Sequence, residues 1–579
     1  MSTTNAPLEV LPDWARELSE KYYSRTLSMF VLHGNVRDLV PVRRNGKLEF
    51  VSLHEFLREA LFGTRDLVLT YDRGGGISFA NTEMQADFRL ALAGYDSFHG
   101  SSYSQALPRN PDSVLNMLES YLRVRVGDRK TIAVILDFAE TIAPAGDGSS
   151  MGSEDRNTIV ILKRWAQNLN FLRADVTICL IAENLSELNQ GIVQNPGVAA
   201  IRIPHPDETE RLEFIRTQMG ETPLPPGSDV SDVALSKLTA GLKRVQLQSL
   251  ICYAYENRLP MTVKFLMARK KELIEAESGG LLEFVQSRYD LSTVAGHELA
   301  KKKLRDTASA LRAGRTDTLP MGYVICGPVG TGKTFLSQCY AGSIGIPCAM
   351  LRNFRSKYVG ETEGNLQQVL TVLRSLGPVV VVVDEADAAL GSRQAEGDSG
   401  TSARVFSMIA SQMGDTRYRG TIIWMLLTSR PDLLPIDLKR QGRAEVHIPL
   451  FYPHDPDEIR QMFVAMAKKN KLVLADGAIP TVDPARRLSG ADIESVVLAV
   501  KRQAMTAGMQ MIERSDVEQA LAEFIPSAQG LEKELQDIVA VLECTQLSFL
   551  PPYWREQVVA PQGRSRLEER MAAIRQLLE

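Results

Sequence analysis

Residues 327–334 read Gly-Pro-Val-Gly-Thr-Gly-Lys-Thr, the spacing G-x-x-x-x-G-K-T. Such a run suits one kind of chemistry. Gly327, Gly330 and Gly332 let backbone N–H groups converge on phosphate oxygens, and a helix start behind the loop adds partial positive charge. Lys333 is placed to meet β- and γ-phosphates, and the Thr334 hydroxyl to hold Mg2+. Pro328, Val329, Thr331 and Phe335 complete the stretch expected to touch the ligand. A second cluster lies further on, where five valines lead into Asp384-Glu385-Ala386-Asp387. An all-β-branched run suits a central parallel strand, and carboxylates at the C-terminal edge of such a sheet face the ligand crevice. Asp384 is expected to orient the metal ion through its waters, and Glu385 to polarise an attacking water as general base. A glycine turn and an acidic helix cap account for each piece alone, but not for both in this order.

Strands and helices must hold these residues in place. The strand GYVIC precedes the glycine loop and the helical stretch FLSQCYAGS follows it. Short apolar runs at 67–71, 131–136, 176–181, 322–325, Val379–Val383 and 421–427 alternate with amphipathic stretches such as 157–172 and 364–376. That alternation predicts an α/β fold with a largely parallel sheet. The order also repeats. An apolar strand ending in Asp384 is followed by one ending near Ser429, then IPLFYPHDPDEIR, then LSGADIESVVLAV. An apolar strand ending in Asp137 is followed by one ending near Asn184, then IPHPDETERLEFI, then LTAGLKRVQLQSL. Asp137 and Asn184 are 47 residues apart, and Asp384 and Ser429 are 45 apart. Two tandem copies of one unit are the expectation, with a boundary at AESGG near residues 276–280. The domains read as an α/β module with its lead-in at 1–205, its helical partner at 206–279, a second core at 280–450, a helical lid at 451–526, and a helical extension at 527–579.

Composition narrows the function. The 579 residues hold 66 Lys and Arg against 70 Asp and Glu, a net charge of −4, so the balance argues against a nucleic-acid binder. No apolar run reaches membrane-spanning length, and no basic stretch followed by an apolar one opens the chain. Six scattered cysteines without C-x-x-C spacing suit free thiols in a reducing cytoplasm and not a zinc site.

Further motifs resemble those of the AAA+ ATPases, and within them the AAA clade of the sporulation, chloroplast and vacuolar-sorting type. Residues 356–366, SKYVGETEGNL, look like the family's pore loop. Residues 428–432, TSRPD, resemble its sensor 1 stretch, and 440–443, RQGR, its arginine-finger pair. Residues 489–492, SGAD, resemble the lid motif near the adenine, and YDLSTVAGHELAKKKL from Tyr289 resembles the opening segment. The resemblance implies a P-loop parallel sheet with a helical lid, in two tandem copies. It implies ATP and Mg2+ as ligands, hydrolysis to ADP and phosphate, and a ring-shaped homo-oligomer, commonly a hexamer. By the same resemblance Arg440 and Arg443 reach a neighbour's γ-phosphate, where a planar, always-charged guanidinium suits the transition state. Gly490 and Ala491 close over the nucleotide, and Lys357, Tyr358 and Val359 grip a protein substrate. Two departures from the family pattern stand out. Ser429 replaces the usual asparagine, and Gln441 the usual proline. The expectation is retained ATP binding with slower hydrolysis. The DEAD letters alone also suit a helicase, but the arginine and pore-loop pattern does not.

The first copy has lost this chemistry. The glycine turn Asp72-Arg-Gly-Gly-Gly-Ile-Ser78 holds no lysine, Phe138 stands where the general base belongs, and Asn195-Pro-Gly-Val198 carries no arginine. Arg73 with Gly74 to Gly76 keeps weak anion binding open as an alternative to a plain turn. Residues 1–60 read as a helical and hairpin-like lead-in, and the helices after 526 as packing on the lid or a neighbour, or as recruiting a partner. The function expected is an ATP-driven motor, chaperone-like, that remodels protein substrates. The alternative is a nucleotide-gated assembly scaffold with slow hydrolysis.

Overall fold

The computed structural model describes residues 11–24, 26–44, 46–146, 151–220, 224–285, 289–312, 315, 319–352, 359–390, 401–507, 511–526 and 530–578; within these, the side chains of 98, 99, 277, 312, 359–363, 401–403 and 507 are not described. The chain divides into two compact units, Met1–Ile274 and Glu275–Glu579.

The first unit holds β1 (Met29–Gly34), β2 (Leu39–Arg44), β3 (Lys47–Ser52), β4 (Leu67–Asp72), β5 (Gly76–Phe79), β6 (Ile132–Leu136), β7 (Val176–Ala182) and β8 (Val198–Ile203). Six of them form a sheet in the order β5-β4-β6-β7-β1-β8, parallel except for β5, while β2 and β3 make a separate hairpin. Side chains alternate across the sheet with the two-residue period of a strand. Met29 and Val31 enter one apolar core with Tyr71, Val134 and Trp165, and Phe30 and Leu32 enter another with Trp14, Phe56 and Ile181. Helices Glu208–Met219, Asp232–Leu238 and Arg244–Glu256 follow the sheet.

The second unit repeats the plan with β9 (Leu282–Val285), β10 (Gly322–Cys326), β11 (Cys348–Leu351), β12 (Val379–Val383), β13 (Ile422–Thr428) and β14 (Val446–Pro449), in the order β14-β10-β13-β12-β11-β9. Only β9 runs antiparallel. A helical lid follows, built on helices Pro456–Lys469, Gly490–Ala507 and Arg514–Glu523 around Phe463, Leu488, Ile493 and Val500. Helices Leu531–Glu543, Pro552–Val559 and Gly563–Leu578 then pack back on the same unit. Glu543 pairs with Lys439 at 2.8 Å, and the His447 amide donates to the Thr545 hydroxyl at 3.0 Å.

Strand order aligns the two sheets and corrects one reading of the sequence. β10, which carries the phosphate loop, lies between β13 and β14. Its counterpart is β1, between β7 and β8. The glycine turn at 72–78 instead joins β4 to β5 as an antiparallel hairpin, and its Gly74 and Gly75 amides both donate to the Asp72 carboxylate. Two of the amides that would have met an anion are therefore occupied. The turn at the position of the phosphate loop is Gly34-Asn-Val-Arg-Asp38, inside the segment expected to be a lead-in. That expectation holds for the helix Asp13–Tyr23 and the hairpin, and misses the interior strand β1 between them.

Candidate active site

The phosphate loop of the second unit depends on glycine at defined points. Gly327, Gly330 and Gly332 have φ of 139°, 85° and 85°, values that side chains rarely tolerate. A Cβ on Gly327 would lie 2.0 Å from the Leu450 carbonyl oxygen, and one on Gly330 would lie 2.8 Å from the Ser489 hydroxyl. Gly332 ends the loop, and helix Lys333–Ile344 starts behind it with an N-cap glycine that has no side chain to cap the first turn. Its leading amides are left to a ligand.

A cavity of about 660 Å³ opens over this loop. Its walls include Val329 to Phe335, Asp384, Glu385, Asp387, Thr428, Ser429, Gly490 and Ala491. Gly327 and Pro328 sit beneath it, where their carbonyls accept from the Lys333 ammonium at 2.7 and 3.0 Å. Burial pushes the Lys333 pKa down to about 8, against the pull of Asp384 and Asp387. A desolvated cation whose partners among the described residues are carbonyl oxygens is poised for an anion. The Thr334 hydroxyl donates to Asp384 at 2.9 Å. Glu385 follows at φ 46°, exposed at the cavity wall. The Thr428 hydroxyl donates to Asp387 at 2.6 Å and accepts the Arg430 amide at 2.9 Å, bracing the turn that carries Ser429.

The far end of the cavity is softer. The rings of Tyr289 and Phe335 lie 5.9 Å apart, and Met462 and Met466 line the same wall. Lys469 approaches the Phe335 ring at 5.8 Å and pairs with Glu494 at 2.8 Å. Flat aromatic and thioether walls suit a planar base. One end thus fits phosphates and a hard cation, the other a nucleobase. Thr334 and Asp384, one hydroxyl and one carboxylate with the ammonium beside them, are a donor set that fits Mg2+ held with nucleotide phosphates.

The predicted residues do not all converge. Arg440 and Arg443 lie on the turn after helix Ile436–Lys439 and do not line the cavity. Arg440 pairs with Asp437 at 3.5 Å, and Arg443 donates to the Asp437 carbonyl at 2.6 Å. Lys357 and Tyr358 lie outside the described residues, and Val359 opens helix Val359–Ser375. Sequence reasoning missed His297. It lines the cavity, its imidazole Nε2 meets the Thr331 carbonyl at 3.0 Å, and burial lowers its pKa, so the neutral ring donates that bond. It lies in the resembled opening segment, with no signal separating it from a core histidine.

In the first unit Asp137 follows β6 as Asp384 follows β12. The Arg37 guanidinium reaches both its carboxylate oxygens, at 2.9 and 2.8 Å, and His54 meets one at 2.7 Å. Burial pushes the Asp137 pKa up, but the bonds from His54 and Arg37 hold it down to about 2. Arg37 also lies 3.9 Å from the centroid of the Phe138 ring. Strand β2 begins at Leu39, so no helix starts behind the turn.

Comparisons with known families agree with this division. Residues 4–204 match the family described as AAA+ chaperone, N-terminal Rossmann-like domain, and 209–279 match AAA+ chaperone, second helical domain. Residues 323–452 match ATPase family associated with various cellular activities (AAA). A cell division cycle protein 48 homolog from Archaeoglobus fulgidus is 25% identical over 426 residues, covering 67% of this chain and 57% of the relative. An ATP-dependent zinc metalloprotease FtsH 1 from Salinibacter ruber is 27% identical over 44% of this chain and 38% of its own length. The peroxisomal ATPase PEX6 of Saccharomyces cerevisiae is 25% identical over 54% of this chain and 34% of its own length. The chain therefore spans between about a third and somewhat over half of these relatives. Two tandem AAA-like units on one chain, with the phosphate loop in the second, place this protein in the AAA+ ATPase superfamily.

Proposed function

We propose that the second unit binds Mg-ATP and hydrolyses it, and that the chain assembles into a ring that uses the energy to remodel protein substrates. One observation carries the reading. Lys333, the Thr334–Asp384 pair and Glu385 converge on one cavity under Gly490 and Ala491, while Arg440 and Arg443 stand apart from it. Lys333 and the leading amides of its helix bind and orient phosphate oxygens. Thr334 and Asp384 hold Mg2+, which supplies neutralisation of phosphate charge. Glu385 takes a proton from the attacking water, and Ser429 orients that water. Arg440 and Arg443 serve the site of an adjacent copy in a ring, commonly a hexamer, so catalysis needs assembly. Lys357, Tyr358 and Val359 grip the polypeptide, as the resemblance implies, and an aromatic ring offers sequence-tolerant contact. The six free cysteines suit a reducing cytoplasm. Among the described residues no helix is long and apolar enough to cross a membrane.

ATPase activity per subunit, measured against protein concentration for wild type beside Glu385→Gln, tests this. Rising specific activity with a silent mutant is the expected result. Flat, near-zero activity with ATP still bound supports the second reading, a nucleotide-gated scaffold, which the serine at 429 and the filled first site favour. Tyr358→Ala is expected to abolish remodelling while sparing hydrolysis.

A further inference from the structure

The helix Leu531–Glu543 buries polar side chains where a surface helix would show them to water. Lys533, Gln536 and Asp537 are 8%, 5% and 5% exposed. Polar groups buried this deeply are held by partners, and here the partners belong to the nucleotide site. The Gln536 side-chain carbonyl accepts the Val329 amide at 3.1 Å, and the Tyr452 hydroxyl donates to the Val329 carbonyl at 2.8 Å. Both backbone groups of one phosphate-loop residue are thus fixed from outside the cavity, while Val329 itself, 62% exposed, lines it. The Tyr452 ring lies 4.8 Å from the Lys533 ammonium and 5.9 Å from the Arg487 guanidinium. Tyr452 sits between β14 and the first lid helix. Asp537, the residue after Gln536, takes the guanidinium of Arg487, two residues before the Ser489 hydroxyl that a Gly330 Cβ would strike. One turn of a helix from the C-terminal extension therefore grips the phosphate loop with one residue and the lid side with the next.

We propose that this helix is a positioning element of the nucleotide site: Gln536 fixes the phosphate loop, Asp537 fixes Arg487 beside the lid, and together they set how tightly nucleotide is held. The proposal rests on the reading of the cavity as a nucleotide site. It assigns the extension a role in affinity that neither the phosphate-loop motif nor the family matches describe. Gln536 touches no reacting atom; it acts through the Val329 peptide.

The test uses the full chain with Gln536→Leu, Gln536→Glu, which keeps the acceptor oxygen, and Tyr452→Phe, which keeps the ring. Two quantities are read: amide hydrogen exchange of the peptide holding Val329 without nucleotide, and affinity for ADP and ATP. Gln536→Leu is expected to speed exchange at that peptide and weaken ADP by about tenfold, as one orphaned buried amide predicts. Its KM for ATP rises while kcat changes less, and Gln536→Glu restores both readouts. Tyr452→Phe gives a smaller effect of the same kind. The proposal is overturned if Gln536→Leu leaves exchange and ADP affinity within twofold of wild type, or if Gln536→Glu is as defective as Gln536→Leu. If Gln536→Leu does not fold, Tyr452→Phe decides in the same two readouts. Failure of wild type to bind ADP would instead sink the nucleotide reading, and the exchange experiment would still judge the clamp.

Discussion

Asp137 and Asp384 stand at equivalent points of the two sheets, yet they face opposite surroundings. Asp384 meets a threonine hydroxyl at the floor of an open cavity. Asp137 meets an arginine and a histidine from its own unit. The first unit supplies an arginine and a histidine to its carboxylate from its own chain, a part that the proposed Mg2+ would play in the second. The residues that follow make the comparison sharper. Phe138 and Glu385 both adopt the left-handed conformation, at φ 48° and 46°. Such a backbone costs an ordinary residue on the order of 1–3 kcal/mol. In Glu385 the strain places a carboxylate at the cavity wall; in Phe138 it sets a ring beside Arg37. The strain therefore belongs to the strand end both units share, and by itself it is no evidence of catalysis. What separates the two sites is the turn before them. Lys333 opens a helix behind its loop, whereas the turn at 34–38 runs straight into a hairpin and offers no helix N-terminus.

The comparison breaks first at Glu385, the proposed general base. Glu385→Gln is expected to lower turnover by about 10²–10⁴-fold, the span a positioned base contributes, with ATP binding retained. Phe138→Glu puts a carboxylate at the equivalent left-handed position and should add no activity, because the loop and helix are missing; phosphate release by the Glu385→Gln, Phe138→Glu double variant measures this. Stoichiometry is the next test. Calorimetric titration with ADP should find one nucleotide per chain, and Arg37→Ala should not raise that to two. A second equivalent in Arg37→Ala would mean that the arginine alone closes the first site.

Steric and electrostatic differences come after these. Gly330→Ala places a Cβ against Ser489 at a φ of 85°, so nucleotide affinity should fall severalfold while the first unit melts as before. Asp137 has the opposite sensitivity. Its folded pKa of about 2 lies below the unfolded value near 4, so its contribution is full above pH ~4 and is lost as pH falls toward 2. That contribution is worth about 2 kcal/mol, and it should vanish in Asp137→Asn. Melting wild type and Asp137→Asn at pH 7 and pH 3 reads this as a gap that narrows in acid. The smallest effect is expected of Ser429→Asn, which should raise turnover by less than about tenfold, equivalent to one modest hydrogen bond to the attacking water. No gain would mean that Thr428, already bound to Asp387, leaves the position without influence.

Much of the second unit's site is legible in the residues alone. A glycine loop fixes its own conformation through φ values that only glycine adopts readily, and a valine run declares a buried strand, so the spacing of Gly327, Lys333, Thr334 and Asp384 carries their meeting. The repeat is legible too, because near-equal intervals survive the loss of individual residues. The turn at 72–78 misleads because glycines beside an apolar strand look alike in a hairpin and in a phosphate loop. Only hydrogen-bonded neighbours distinguish them: β4 pairs with β5 and β6, and β1 with β7 and β8. Nothing in MFVLHG sets it apart as the strand equivalent to the loop-bearing one. Gln536 is equally silent, since a glutamine on an amphipathic helix reads as a solvated face.

The sequence by itself placed the residues proposed to hold phosphate, metal and water in the second unit, because a glycine loop and a buried valine strand fix local backbone geometry. It also determined that the first unit lacks a lysine loop and a base. Tertiary structure alone decided which strand of the first unit replaces the loop-bearing one, and that Arg37 and His54 occupy its carboxylate. It alone decided that a helix some two hundred residues beyond the phosphate loop holds Val329. Those outcomes turn on pairings between distant segments, and the free energy of such a pairing is set by burial and partner geometry that no local spacing records.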